Sequence, residues 1–385
     1  MGRSCLASLG RRVPLASALV LTLLVLAACG EGGSGPPTGA PPTAYRFLYR
    51  EFGRERDTFW SVLPSDPSQR RQVALIPHRA EWGVNASLSP DGRHLAYVTF
   101  PEGALDESLQ SDAYLLDIET GEKKLLVEGA DLRQRPLWSP DGRLLFLRRS
   151  LEQEVTLLQV DLTRPQEDPD RIRTILQASV KDVATFIPIG FANGVLYFVQ
   201  IEGDGSTQVG AYALPTQQAT LVVRLSEGRI ARDYDLSPDS RRLVFLVQEP
   251  VQGKLRFRTF IADLASKSVA PLATDGLGGG DHLRPLWHPD GTRIAVGQLP
   301  SKGEPAAVAL VHLAGGEPSF LPPPTVGFDV PLIWAPDGSF LAITSFEGGS
   351  GASPGRARLV LVAPRGQRLV VAEGADMEAI GWVKE

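Results

Sequence analysis

The sequence predicts an all-β chain: a single β-propeller of seven four-stranded blades whose N- and C-terminal strands close the ring, with six or eight blades as alternatives. Three observations predict it. A turn motif recurs at near-even spacing, each copy is followed by a short apolar run, and no sustained helical period of apolar residues intervenes between residues 45 and 385.

The motif copies are Ser89-Pro90-Asp91-Gly92, Trp138-Ser139-Pro140-Asp141-Gly142, Ser237-Pro238-Asp239-Ser240, His288-Pro289-Asp290-Gly291 and Ala335-Pro336-Asp337-Gly338. Proline pre-sets φ for the second position of a type I turn, aspartate suits the third, and glycine supplies the positive φ that follows. A type I turn with an αL glycine makes a three-residue hairpin loop, so each copy should join two antiparallel strands. The motif prolines fall at 90, 140, 238, 289 and 336, at intervals of 50, 98, 51 and 47. The long interval holds a degenerate copy, Asn193-Gly194, ahead of Val195-Leu196-Tyr197-Phe198-Val199. A period of about 48 residues with four strands per unit is the spacing of a propeller blade.

Ahead of the repeats, residues 1–28 read as a targeting segment. Arg3, Arg11 and Arg12 precede an apolar run over 14–26, and Leu26-Ala27-Ala28-Cys29 resembles the lipobox of bacterial lipoproteins. That resemblance implies cleavage before Cys29, a diacylglycerol on its thiol, attachment to a membrane through that lipid, and an extracytoplasmic place in a bacterial cell envelope. The apolar run is short for a bilayer span. Cys5 leaves with the leader, so one thiol remains and no disulfide framework is available. Residues 29–44 are rich in Gly, Pro, Ser and Thr and have nothing to bury; as a flexible tether they reach on the order of 20 Å.

The propeller occupies 45–385. One unit reads as strand A over 134–138, B over 143–148, C over 154–160 and D near 173–176. Strands A are expected near 82–88, 134–138, 185–191, 232–236, 283–287, 330–334 and 377–382. The last of these lacks a following strand B, while 45–50, 58–63 and 72–76 read as B, C and D lacking an A. Joining the ends completes one blade and removes a free sheet edge.

The Trp/Ser/Pro/Asp/Gly pattern, with Leu-Ala-Tyr-Val-like strands after it, resembles the TolB-type, WD-like propeller repeat, and is similar to the propellers of the tricorn and prolyl-oligopeptidase groups. The resemblance covers most of 45–385 and implies the fold. Two expected companions have no counterpart in the pattern: a tether stands where TolB carries a small α/β domain, and the repeats leave no room for an oligopeptidase hydrolase domain.

The formal charge of −5 becomes −8 when three arginines leave with residues 1–28. A mildly acidic surface argues against nucleic acid as partner. No Gly-x-Ser-x-Gly elbow occurs, and His78, His94, His282, His288 and His312 show no metal-ligand spacing. The sequence therefore implies neither metal nor cofactor. Gly276 to Gly280 is a D–A loop with no helix pattern after it, so it is not a phosphate cradle.

The motif aspartates are explained by their turns, and Trp138, Trp287, Trp334 and Trp382 by packing between blades. A second recurrence is more suggestive of function. Acidic residues precede strand A, with arginines beside them: Asp131 with Arg133 and Arg135, Arg232 with Asp233, Asp281 with Arg284, then Asp329 and Asp376. D–A and B–C loops share one face of a propeller, so these nine residues would ring the channel mouth. They read as a polar binding face for an envelope protein or polymer, or alternatively as loop caps and inter-blade salt links. The expected function is a lipid-anchored binding or scaffolding module. A propeller hydrolase or lyase acting on sugar or peptide, and an accessory sensor lipoprotein, are the alternatives.

Overall fold

A computed structural model describes residues 45–101, 110–151, 153–251, 253–274, 276–277, 279–300, 304–364, 366–374 and 376–385. The leader, Cys29, the tether and most of the acidic 101–112 loop lie outside these residues.

The strands run in chain order. The first three are β1 (Tyr45–Glu51), β2 (Arg56–Leu63) and β3 (Asp66–Pro77). Next come β4 (Val84–Leu88), β5 (His94–Thr99), β6 (Ser111–Asp117) and β7 (Lys123–Ala130), then β8 (Leu137–Trp138), β9 (Leu144–Ser150), β10 (Glu154–Asp161) and β11 (Ile172–Ser179). The middle of the chain forms β12 (Val183–Ala192), β13 (Val195–Glu202), β14 (Thr207–Ala213), β15 (Gln218–Ser226), β16 (Ala231–Leu236), β17 (Arg242–Val251), β18 (Lys254–Asp263) and β19 (Ser268–Pro271). The last third forms β20 (His282–Trp287), β21 (Arg293–Gln298), β22 (Ala309–His312), β23 (Ser319–Phe320), β24 (Phe328–Trp334), β25 (Leu341–Phe346), β26 (Ala357–Val362), β27 (Arg368–Glu373) and β28 (Met377–Lys384).

The protein is a seven-bladed β-propeller. Five sheets are four-stranded antiparallel blades, and an eight-stranded sheet is two such blades joined by the single bridge Ala130↔Arg149. The closing blade has the order β28-β1-β2-β3. Its β1–β28 ladder runs from Tyr45↔Lys384 to Glu51↔Met377. The two ends therefore supply one another's missing edge, as the split unit in the sequence implies.

Each motif is a hairpin corner, but its loop is longer than three residues. Gly142 N donates to Ser139 O at 2.9 Å, which is the type I turn. The pair that closes the hairpin is Ser139 with Leu144, leaving four residues between them: Ser139 N donates to Leu144 O at 2.9 Å, and Leu144 N donates to Ser139 Oγ at 2.9 Å. The serine hydroxyl thus replaces its own carbonyl as acceptor and donates to Asp141 Oδ1 at 2.6 Å. Gly142 sits at φ 70°. Ser89 and Asp91, and Ser237 and Asp239, repeat the pattern. Ser139→Ala strands the Leu144 amide and is expected to cost about 1–2 kcal/mol in chemical denaturation. An unchanged denaturation midpoint would assign the loop's stability to its backbone alone.

Strand A of the β8–β11 blade is shorter than expected, two residues instead of five. Gln134 N donates to Asp131 O at 3.1 Å and Arg133 N to Asp131 Oδ1 at 2.9 Å, so the chain turns there. Pro136 then offers no amide to a ladder, and pairing begins only at Leu137↔Phe146.

The core lies between blades rather than at one centre, because each sheet buries both faces against its neighbours. Leu48 and Phe59 of the closing blade pack with Ala86, Leu95 and Tyr97 of the next. Phe146 and Leu157 pack with Phe198 and Tyr212 in the same manner. The tryptophans stitch blades together: Trp138 Nε1 donates to Ser87 O at 3.4 Å, and Trp287 Nε1 to Asp235 O at 3.1 Å. Trp382 differs from the expected inter-blade packing: its ring lies on Phe47 within the closing blade, centroids 5.0 Å apart.

Two sets of loops occupy opposite faces. C–D turns bond to the motif corners, as in Leu162 N to Arg143 O at 2.9 Å and Leu264 N to Arg241 O at 2.9 Å. D–A loops bond to B–C loops, as in Glu81 N to Arg54 O at 2.7 Å and Leu299 N to Asp281 O at 2.9 Å. The expected loop-rich face therefore exists, opposite the motif corners.

Candidate functional site: the channel mouth

Successive inner strands β8, β12, β16, β20, β24, β28 and β4 neighbour one another around the axis. Two cavities open among them. The first, about 530 Å³, is lined by Arg50, Phe52, Trp82, Val84, Asn85, Leu132, Asp376, Met377 and Glu378. The second, about 460 Å³, is lined by residues that include Arg135, Asp233, Asp235, Arg284, Trp287 and Trp334.

A chain of charges separates them. Glu378 pairs with Arg135 through one carboxylate oxygen and with Arg50 through the other, at 3.0 Å. Arg50 reaches on to Asp57 Oδ2 at 3.0 Å and also donates to Val84 O. Asp57 is fully buried. It accepts from Gly53 N at 3.1 Å and Val84 N at 2.9 Å, and His78 Nε2 lies 3.0 Å from its Oδ1. This network fixes the entry of the closing blade against the strand that follows it. It also fills both oxygens of Asp57 with two partners each, and sets one arginine on each oxygen of Glu378.

At the rim, Trp82 stands 44% exposed, edge-on to Phe100 at 4.5 Å, with the Arg79 guanidinium 5.6 Å from its ring. Trp82 lies ahead of β4 and not within it, so its ring belongs to the loop face.

The nine expected face residues divide. Asp376 lines the first cavity, while Arg135, Asp233 and Arg284 line the second. The others hold loops. Asp131 is buried; Arg133 donates to it at 2.9 and 2.8 Å, Ser150 at 2.7 Å, and Arg148 pairs with it at 2.9 Å. Those cations and donors outweigh burial and keep its carboxyl well below the usual range. Asp281 accepts from Phe257 N at 2.8 Å and pairs with Arg256 at 3.1 Å. Asp329 is fully buried against Arg368, which donates to both of its oxygens at 2.8 and 3.1 Å. Arg232 covers the Phe257 ring at 3.9 Å.

Glu378, Arg50, Asp57, His78, Asp235 and Trp82 are functional candidates that the recurrence did not reveal. Trp82 carried a signal, since it is a tryptophan off the motif ruler. His78 follows the end of β3, and the others sit within strands, where sequence shows parity and not position around the axis.

The inner strands bend at bulges. Register shifts fall between Arg232 and Asp235 in β16 and between Leu283 and Leu286 in β20. Asp233 there has φ 56° and Arg284 φ 33°. A bulge re-aims a side chain, and these two turn Asp233 and Arg284 toward one cavity. Asp235 accepts from Trp287 N at 2.6 Å. Burial pushes its carboxyl up to about 7, against the lowering effect of that amide and of Arg284. Among the described residues, no group of three or more His, Cys, Asp or Glu side chains is placed to hold a metal ion, and no helix is long and apolar enough to cross a membrane.

Comparison with known proteins agrees on the fold. No family model matches the chain. An oligogalacturonate lyase in complex with manganese is similar over 86% of this chain and 85% of that one, at 17% identity and a TM-score of 0.57. A prolyl endopeptidase matches over 88% of this chain at 14% identity and a TM-score of 0.58, and this chain spans 50% of its length. TolB from Acinetobacter baumannii aligns over 90% of this chain and 69% of its own, at 18% identity and a TM-score of 0.49. The class of protein is the β-propeller, and the likeness to the lyase and the endopeptidase is one of fold.

Proposed function

We propose that the chain is a binding or scaffolding propeller, held outside the cytoplasm by lipid on Cys29, that engages an envelope protein or polymer at its D–A and B–C face. The observation that carries this reading is the mouth cavity of about 530 Å³, where Trp82 and Phe52 stand beside Arg50, Asn85, Asp376 and Glu378. Aromatic bodies among fixed polar groups on a rigid scaffold suit partner recognition. The internal pairing of Glu378 and Asp57 gives less support to a hydrolase or lyase working from this mouth.

A photo-reactive residue at Trp82 or Asp376 should capture a discrete partner in its own cells. Trp82→Ala, combined with the Asp376 probe, should reduce that product by about tenfold, the loss of one aromatic anchor. No discrete product from either position, in protein shown to be folded, would sink the reading. Anchoring has a separate test: Cys29→Ser should release the protein from the membrane fraction or leave it unprocessed. Unchanged processing and attachment would refute the lipid.

A further inference from the structure

The geometry points to the second cavity as a binding site for a small monocarboxylate with an apolar body, its carboxylate held by Arg284. This cavity is the second of the two at the mouth, and its test does not depend on the partner-binding reading of the first.

The cavity measures about 460 Å³ and has two kinds of wall. Leu286, Trp287, Leu332, Ile333 and Trp334 form an apolar side. The polar side is held by arginines and carboxylates whose partners are mostly settled. Arg135 is taken by Glu378. Asp233 lies 3.5 Å from Arg232. Asp235 accepts the Trp287 amide. Among the described residues, no carboxylate pairs directly with the Arg284 guanidinium. Asp233, Asp235 and Glu378 act on it only through their fields, while burial and the charge of Arg135 oppose its cationic form.

Two features show that this position is built. Arg284 lies in the left-handed region at φ 33°, which costs a residue with a side chain about 1–3 kcal/mol. The bulge in β20 that imposes this φ places the arginine on the cavity wall. A guanidinium with no directly paired carboxylate inside a protein favours an anion. Its planar fork matches a carboxylate with two parallel hydrogen bonds. The apolar wall selects an acid with a hydrocarbon body over a bare inorganic anion.

Asp235 supplies a pH signature. It shares the cavity with Arg284, Asp233 and Arg135, and Glu378 acts there through its pair with Arg135. Burial pushes the Asp235 carboxyl up to about 7. Below that pH it is neutral and leaves Arg284 to the ligand. Above it, the new carboxylate competes, and affinity should fall.

Butyrate and butyramide, followed by the fluorescence of Trp287 and Trp334 and by thermal shift, test the site in the full-length protein. Butyrate should bind with a Kd on the order of millimolar, as one charge-assisted contact and a short hydrocarbon support. Butyramide should bind at least about tenfold more weakly, and Arg284→Gln should erase the difference. Arg284→Lys, which keeps the charge, should retain part of the preference and covers the case in which the glutamine variant does not fold. Asp235→Asn should flatten the fall in affinity across pH 7. Equal binding of acid and amide, equal binding by wild type and folded Arg284→Gln, no butyrate effect up to about 100 mM, or tighter binding of inorganic phosphate than of butyrate would each overturn the assignment.

Discussion

Asp57→Ala is expected to lower the free energy of unfolding by about 3–5 kcal/mol, the range seen when one partner of a buried ion pair is removed. The side chain is fully buried and serves four partners at once: the Gly53 and Val84 amides, Arg50 and His78. Alanine leaves the Gly53 and Val84 amides without their acceptor, to recruit water or remain unpaired, and takes one of the three partners of Arg50, which keeps Glu378 and Val84 O. Asp57→Asn keeps the shape and one acceptor oxygen, so it should fall between wild type and alanine. Urea denaturation measures both. A loss below about 1 kcal/mol for alanine would mean that the Arg50–Glu378 pair alone secures the entry to the closing blade.

Deleting 377–385 should abolish the cooperative fold. β28 supplies the inner edge of the closing blade, where it pairs with β1 over its whole length. It also buries Ala379 and Ile380 and sets Trp382 on Phe47. Each lost ladder bond costs about 0.5–1.5 kcal/mol, and each large apolar side chain removed costs about 1.5–3 kcal/mol. Together these rival the 5–15 kcal/mol, roughly, that separates a typical folded domain from its unfolded chain. The deletion also removes Glu378, which opens the charge chain between the two cavities. Circular dichroism on heating and limited proteolysis report the outcome. A sharp transition within a few degrees of the wild-type Tm would show that β1 tolerates a free edge.

The two variants probe different levels of legibility. The ring closure behind the deletion was readable, because Trp382 keeps the spacing of Trp334 and a strand A at one end needs the B, C and D at the other. The motif corners were readable too. Proline, aspartate and glycine act within a few residues of each other, so local chemistry determines them. Even there, the loop came out one residue longer than the turn rules imply. The serine ahead of the proline lends its hydroxyl to the hairpin, a bond that depends on where the next strand returns.

The site behind Asp57→Ala was much less legible. The search for acidic residues ahead of strand A, with arginines beside them, found Asp376, Asp233, Arg135 and Arg284, which do line the cavities. It found Asp131, Asp281 and Asp329 by the same rule, and these are held by Arg148, Arg256 and Arg368. Spacing does not distinguish the two groups, since Arg148 and Arg368 come from other strands of the same blade and Arg256 from the preceding one.

The sequence by itself determined the class of fold, the blade period, the split closing blade and the expectation of a lipid anchor at Cys29. Each depends on residues close together or on regular repetition. Only the tertiary structure decided which charges meet. Arg50, Arg135 and Glu378 come from β1, the loop before β8, and β28, and they converge because seven inner strands share one axis. The bulges that turn Asp233 and Arg284 toward a common cavity likewise arise from fitting those strands around it.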